Sequence, residues 1–523
     1  LPWTENRAFR WIDKTFTKGR QVILQARLAA SRSMICFERK QSHRPRCGSL
    51  QLGLVDLFSS PHHGPARPPG TFGPLAIAGR AKPLANRRFL LVTLPSGPFG
   101  RHLAARLRAA GADVLRVILN GGDLVSWGFS DGLWPRVPRA LWRSWLDWQV
   151  FERSITDLMV FGDTMAFSAE ALACARENGV RTWVLENGYN RPDWITLEPT
   201  GVNAHSCMPR DPRAYRDVDL DAPAEEAPRV GPITPFHTVN ITSYFTGVVL
   251  GGPFFPTYRY PYAVPLWPQI FGHIRRYSAG LLRQGRWRRE ARDVTADSRP
   301  FFLACLQREG DSQLVEHSDL KTNVAFMAQV VANFARAAPR DHRLVFKNHP
   351  LDPAVDDLAA RCRAIAVKAK VADRVVFLEG GVFAHLARAS KGVVAVNSTA
   401  AYAALGFGVP VKLLGRAVFD IDGLTDPRPL EHFWKAPASP DPDLFAKFRR
   451  RLSVRTQIYG SFHNPKHLTG TAERLVARLI ELGRSGERDA APWRSADWGP
   501  NVTVFAADKR DPLTRPGSPV RSV

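Results

Sequence analysis

Short apolar runs that end in a turn and lead into an amphipathic helical stretch recur along this chain, and that alternation constrains the fold most. Residues 88–94 read as a buried strand, Pro95-Ser-Gly-Pro98 as a turn, residues 103–111 as a helix with a glycine stop, and residues 114–119 as the next strand. The order returns in strand 157–162, helix 169–178 and strand 181–185. Strand, helix and strand in that rhythm form a parallel α/β unit, because the crossover needs a helix to cover the sheet. A second series starts at residues 301–306 and continues through helix 323–338, strand 343–347, helix 355–369 and strands 374–378 and 392–396. The fold class predicted is α/β, with two doubly wound domains.

A basic run over residues 275–292 leads to Ser298-Arg-Pro300 and marks a boundary. The expected organisation is a leader over 1–87, an N-terminal domain over 88–297, a C-terminal domain over 298–430, a helical segment over 431–485 and a disordered tail over 486–523. Of the formal charge of +24, residues 1–88 carry +12, from 16 Lys/Arg against 4 Asp/Glu. The leader lacks a sustained apolar period and has Pro/Gly-rich runs, so it reads as unfolded. A mis-set or alternative start is the first explanation, a membrane-seeking arm the second and a nucleic-acid-binding arm the last. The first apolar run, residues 22–30, is broken by Arg27 and does not fit a secretory segment. Six cysteines without zinc-like spacing fit a reduced chain.

Two strands end in dense polar clusters. Residues 183–185 lead into Glu186, Asn187, Gly188, Tyr189, Arg191 and Asp193, and residues 344–346 deliver Lys347, Asn348 and His349 before Pro350 stops the strand. Ligands of such sheets bind at the carboxyl ends of the strands, so both clusters are expected to face one cleft. A carboxylate at the mouth of an apolar strand is partly desolvated, which raises its pKa toward a working range. Glu186 is therefore the first choice for an acid/base or nucleophile, against a structural pairing with Arg191. Asp123, in Asn120-Gly-Gly-Asp123, is the second catalytic carboxylate, because its two glycines would let backbone approach a ligand. No Asp-x-Asp element or His/Cys cluster calls for a metal, and none is expected.

Glu186-Asn-Gly188 and His349-Pro350 resemble an acidic-acidic-Gly motif and a His-Pro motif of glycosyltransferases that use CMP-activated sugar acids. Together with residues 89–100, 118–123, 186–198, 201–203, 311–313, 396–399 and 422–425, in that order, they resemble the motif set of the KpsS-type capsular polysaccharide family. The chain is identified as a member over roughly residues 89–465. The resemblance implies a GT-B-like fold with two Rossmann-type domains facing an interdomain cleft. It also implies a retaining β-Kdo transferase, moving Kdo from CMP-Kdo as donor substrate to a phosphatidylglycerol-type acceptor that starts the capsule lipid linker. No further cofactor is implied. The expected place is cytoplasmic and peripheral on the inner membrane, with anionic phospholipid and capsule assembly/export proteins as partners and no nucleic acid.

In that setting His349 donates a hydrogen bond to the departing phosphate, and its protonated form would offset the growing charge. Lys347, Pro350, Asn397, Ser398 and Thr399 join it around the phosphate of CMP, the last three at a helix start. The sugar and acceptor side is assigned to Asn187, Gly188, Tyr189, Arg191, Asp193, Asn203, Arg259, Asp311 and Gln313, with Arg191, Asn203 and Arg259 as partners for the sugar carboxylate. The basic, aromatic stretch over residues 275–289 fits an anionic membrane surface or, equally, a solvated helix. The family motif places its key carboxylate second, where this chain has Asn187, and an amide serves as neither base nor nucleophile. Two alternatives follow: a sialyltransferase or other CMP-sugar-acid transferase, and a non-catalytic capsule assembly or export partner.

Overall fold

The computed structural model describes residues 82–129, 132–191, 193–221, 234–261 and 264–488; the leader before residue 82 and the tail beyond 488 lie outside them. The strands described are β1 (Arg88–Leu91), β2 (Asp113–Val117), β3 (Gly132–Leu133), β4 (Asp157–Phe161), β5 (Arg181–Asn187) and β6 (Trp194–Glu198), then β7 (Phe301–Cys305), β8 (Arg343–Lys347), β9 (Val375–Leu378), β10 (Val393–Ala395), β11 (Val411–Leu413) and β12 (Gln457–Tyr459). They form two sheets, ordered β12-β6-β5-β4-β1-β2-β3 and β11-β10-β7-β8-β9. Within them β3-β2-β1-β4-β5 and β9-β8-β7-β10-β11 are parallel throughout. Each sheet is wound outward in both directions from its first strand, leaving a crevice between β1 and β4 and another between β7 and β10. This is the GT-B architecture of two Rossmann-type sheets.

The strands read as continuous apolar runs because both faces of each sheet are covered. Phe89 and Leu91 point into one core, Leu90 and Val92 into another. On β7, Phe301, Leu303 and Cys305 pack on one side, Phe302, Ala304 and Leu306 on the other. Each such buried Leu or Phe stabilises the fold by roughly 1.5–3 kcal/mol.

Residues 431–485 do not form a separate helical segment. The helix Pro442–Thr456 is followed by β12, which pairs antiparallel with β6, Tyr459 opposite Trp194. The helix Leu468–Arg488 then places Leu468, Ala472, Leu475 and Leu479 in the same core as Phe89 and Phe99. The N-terminal boundary also moves: Leu84 is buried, and Arg87 is buried against Asp157. Among the described residues no helix is long and apolar enough to cross a membrane.

The glycines of Asn120-Gly-Gly-Asp123 serve a helix crossing, where close approach to a ligand was expected. A Cβ on Gly121 would lie 2.1 Å from the carbonyl oxygen of Gly247, and one on Gly122 would lie 2.6 Å from that of Tyr244. Both partners belong to the helix Thr234–Gly251. Asn120 caps the short helix Gly121–Trp127, its side chain accepting from the backbone N–H groups of Gly122 and Asp123. Asp123 is buried, with one oxygen accepting from Arg116 and the other from the Leu119 N–H, both at 2.9 Å. Both oxygens of this expected catalytic carboxylate are thus committed to the framework.

Candidate active site

The polar cluster that starts at Glu186 belongs largely to a β-hairpin, β5 to β6: Glu186 stands opposite Thr196 and Asn187 opposite Ile195. The Gly188 N–H donates to the Trp194 carbonyl at 2.9 Å, and a Cβ at 188 would lie 2.3 Å from that oxygen. Close backbone approach is therefore what requires glycine there. Glu198 ends up buried in the sheet, accepting from the Ser206 hydroxyl at 2.5 Å and the Cys207 N–H at 3.1 Å, and burial pushes its pKa up to about 7.

The tip of the hairpin is tied to both halves of the molecule. Tyr189 donates its N–H to Gln457 at 2.8 Å, and its hydroxyl accepts from the Asn203 N–H at 2.6 Å. Asn190 donates to Ser453 and accepts from the Tyr402 hydroxyl, at 2.8 and 2.9 Å. Asn203, held at φ 54°, accepts at its side-chain oxygen from the Val418 N–H at 3.2 Å. The Asp193 carbonyl accepts from Gly460 N–H. Arg191 is exposed and donates to the Gly188 carbonyl, while Arg259, also exposed, donates to the carbonyls of Pro256 and Tyr258.

Glu186 itself is only partly covered. One oxygen accepts from the Asn187 N–H at 2.9 Å, and no ion pair within 4 Å holds it among the described residues. Removal from water pushes its pKa up to about 7, against the pull of that N–H and of Arg191. The carboxylate is thus poised near neutrality, without a direct Arg191 bridge.

From the other half, β8 ends in Lys347 and the turn Asn348-His349-Pro350. His349 Nδ1 accepts from the Leu351 N–H at 3.1 Å, which leaves the proton of a neutral ring on Nε2. Burial and the charges of Lys347, Arg308, Arg191 and Arg276 push this histidine down to about 4. The expected imidazolium is therefore replaced at rest by a neutral imidazole donor. Lys347 is also pushed down, chiefly by burial, and donates to the Asn348 carbonyl at 3.4 Å. Across the β7/β10 crevice, Gln307 donates to the buried Asn397 at 2.7 Å, and Ser398 caps the helix Thr399–Leu405 by accepting from Ala400 N–H. The Asp311 carbonyl accepts from Leu314 N–H at the start of the helix Ser312–Glu316, which contains Gln313; the Gln313 side chain lies outside the described residues.

The two clusters lie within electrostatic range of common charges. The charge of Arg191 acts on both Glu186 and His349, and Asp311, beyond β7, acts on Glu186, on the end of β5. The carboxyl ends of the two sheets thus face a single cleft.

Sequence reasoning missed several groups here. The Arg308 Nε is buried without a hydrogen-bond partner, and its charge acts on His237, His273 and His349. Arg276 lies on the helix Leu266–Ala296, whose middle had been read as an interdomain boundary. It pairs with Glu379 at 2.8 Å and donates to the carbonyls of His349 at 3.0 Å and Pro350 at 3.4 Å, while Glu379 also accepts from Asn348 at 3.0 Å. Gly272 lets this helix touch the following loop, since a Cβ there would lie 1.8 Å from the Pro353 carbonyl oxygen. Arg276→Met is expected to lower kcat at least tenfold through misplacement of the His349 turn, with the fold retained; an unchanged kcat in a folded variant would reject that positioning role. A third group, Asp163, His205 and His317, comes together from three separate stretches. Asp163 lies just beyond β4, and His317 is fully buried and pushed down to about 4 chiefly by that burial.

A family model described as capsule polysaccharide biosynthesis protein matches residues 156–463, a span that includes both Glu186 and His349. The chain is 31% identical over 395 residues to the Capsule polysaccharide export protein KpsS of Escherichia coli, covering 73% of this chain and 98% of that one. It belongs to the KpsS-type capsule polysaccharide family. Another member, the Capsule polysaccharide modification protein LipB of Neisseria meningitidis serogroup B, is 30% identical over 394 residues, with 72% of this chain and 91% of that one covered. Among solved structures, Thermosulfurimonas dismutans KpsC, described as a beta Kdo 2,7 transferase, aligns at 14% identity and TM-score 0.36 over 75% of this chain and 100% of that one. Membership of the family places the chain in capsule polysaccharide biosynthesis.

Proposed function

We propose that this family member is a glycosyltransferase that moves Kdo from CMP-Kdo to the headgroup of an anionic phospholipid, of the phosphatidylglycerol type. The observation that supports the reading is that Glu186, with its pKa pushed up to about 7, and His349, pushed down to about 4, sit at the strand ends of the two halves and both feel the charge of Arg191. In this reading the His349 Nε2–H donates to the phosphate as the glycosidic C–O bond breaks, with Lys347 and Arg308, whose buried Nε lacks a partner, drawing the departing CMP. Asn397, Ser398 and Thr399, at a helix start, take the phosphate of CMP, and Arg191 meets the sugar carboxylate. Glu186 in its ionised form takes the proton of the acceptor hydroxyl. Mass spectrometry of the protein after incubation with CMP-Kdo alone would reassign Glu186 as the nucleophile if a Kdo adduct sits on it.

The lipid acceptor is supported by the helix Leu266–Ala296. Trp267, Phe271, Ile274, Leu281 and Leu282 are 55–88% exposed along one side, opposite the buried Gln269 and Gly272. Arg275, Arg283, Arg286, Arg288 and Arg289 share the same helix. An exposed apolar stripe among arginines suits an anionic membrane surface, to which each cation adds about 1 kcal/mol of attraction. Peripheral attachment at the inner, cytoplasmic face belongs to this proposal. The double variant Phe271→Ser, Leu281→Ser is expected to co-sediment with phosphatidylglycerol vesicles about tenfold less than the parent; equal partitioning would reject this surface.

The deciding assay presents CMP-Kdo and short-chain phosphatidylglycerol to the full chain, with His349→Ala and a CMP-sialic acid arm alongside. Kdo-lipid formed by the parent and lost in the variant supports the reading. Transfer only from the other donor selects a sialyltransferase-like enzyme. CMP binding without any turnover selects the non-catalytic assembly partner that Asn187 brings into view.

A further inference from the structure

Outside the groups assigned to sugar transfer, one cluster has the chemistry of a metal site. Asp163 follows β4 and Gly162, His205 closes the short 3-10 helix Asn203–His205, and His317 follows the helix Ser312–Glu316 in the other half. One ligand atom from each lies within 4.8 Å of the other two. The imidazole rings of His205 and His317 stand 4.6 Å apart, centroid to centroid.

The polar atoms here are left in a state that a protein interior rarely tolerates. His317 is fully buried, and neither ring nitrogen has a hydrogen-bond partner. Asp163 is 6% exposed; its Oδ2 accepts from the Val202 N–H and His205 Nδ1, both at 3.0 Å, while its buried Oδ1 has no partner. Buried polar groups almost always find partners, and each one left without costs free energy. Gly201 keeps the floor open: a Cβ there would lie 2.7 Å from Asp163 Oδ2 and 2.5 Å from His205 Cβ. A single cation would satisfy Asp163 Oδ1 and one nitrogen of each imidazole at once.

We propose that Asp163, His205 and His317 bind one divalent cation of the zinc class, bridging the two Rossmann-type halves beside the cleft. Two imidazoles and one carboxylate are the donor set that suits such borderline metals, whereas calcium and magnesium ask for oxygen ligands. Ligand atoms of a tetrahedral zinc site stand about 3.3 Å apart, so the trio closes by small side-chain rotations. The His205 side chain is 51% exposed, which leaves the fourth position to water or to a substrate oxygen. Asp163 and His205 come from the first half and His317 from the second, so the ion fastens one half to the other. The charge of Asp163 reaches Glu186, so the ion sits within electrostatic range of the transfer site without being one of its groups.

The test is titration of the full, metal-stripped chain with Zn²⁺, read by calorimetry and thermal melting, and with Co²⁺, read by visible absorption. Expected are one equivalent bound per chain at micromolar affinity or better, a Co²⁺ ligand-field band, a melting temperature raised by several degrees, and no comparable response to Mg²⁺ or Ca²⁺. His205→Gln changes a half-exposed side chain and keeps the test clear of folding failure; it should weaken Zn²⁺ binding at least tenfold, and Asp163→Asn and His317→Gln should do the same. Binding below one equivalent, or equal affinity in parent and His205→Gln, overturns the site.

Discussion

Glu186→Gln is expected to lower kcat for sugar transfer by about 10²–10⁴-fold, the range removed with a general base, while donor KM changes little. The pH profile sharpens the expectation. With a folded pKa of about 7, only the ionised fraction works, so the parent should lose roughly tenfold in kcat/KM per pH unit below that point. The residual activity of the variant should be flat across the same range. Stability should move the other way. The ordinary value of this carboxyl is 4.5 and the folded one about 7, so ionising it in the folded chain costs stability that is absent below 4.5 and fully present above 7. Glu186→Gln removes that cost and should melt higher than the parent at pH 8, with the difference vanishing near pH 4. A kcat within threefold of the parent would remove Glu186 from the chemistry.

Asp157→Ala should be the most damaging change to the framework, at about 3–5 kcal/mol, out of a total stability of roughly 5–15 kcal/mol for a folded domain. Asp157 begins β4 and is completely buried. It accepts from Arg87, from Arg181 at 3.1 and 3.2 Å, from the Trp183 indole at 2.8 Å and from the Thr156 hydroxyl at 2.7 Å. Burial alone would push its pKa up, but the hydrogen bonds from Arg87, Arg181 and Trp183 win and hold it below the usual carboxylate range. Its contribution is therefore present above the unfolded pKa, near 3.9, and lost as pH falls through the lower folded value. Alanine leaves the buried Arg87 guanidinium without its counter-charge. The double variant Arg87→Met, Asp157→Leu should recover most of the loss, because it removes both buried charges together. Urea unfolding of the three proteins decides it; a single variant within 1 kcal/mol of the parent would show that the network carries little. A chain shortened to residue 88 should show the same weakness, since it loses Arg87 and the buried Leu84.

The parallel strands were legible in the sequence because burial on both faces leaves them almost no polar positions. Residues 88–94, 157–162, 301–306 and 343–347 contain β1, β4, β7 and β8. What escaped depends on partners distant in the chain. β6 reads as loop because acidic Asp193 precedes it and acidic Glu198 ends it; Glu198 is strand by pairing with Val184, and its buried carboxylate accepts from Ser206 and Cys207. β12 is three residues in helical text, fixed by pairing with β6. Gly121 and Gly122 carried a real signal of close approach, but nothing local says whether ligand or helix approaches. The strand-end residues Glu186 and His349 were legible for the same reason as the strands. Arg276 and Arg308 were lost in a chain with 72 Lys/Arg, where one more cation carries no signal. Asp163, His205 and His317 share no spacing, since the topology alone joins them.

The return of β12 to the first sheet sets a timetable for synthesis. β6 emerges with one edge bare, and the strand that covers it follows roughly 260 residues later, on the order of tens of seconds at ribosomal speed. The apolar underside of Phe89 and Phe99 waits still longer for Leu475 and Leu479. The second sheet, whose strands span residues 301–413, has all its strands made before the first has its last. The second sheet is thus complete in synthesis before the first is closed, and until β12 is made the nascent first half presents an open sheet edge to any chaperone or neighbouring chain.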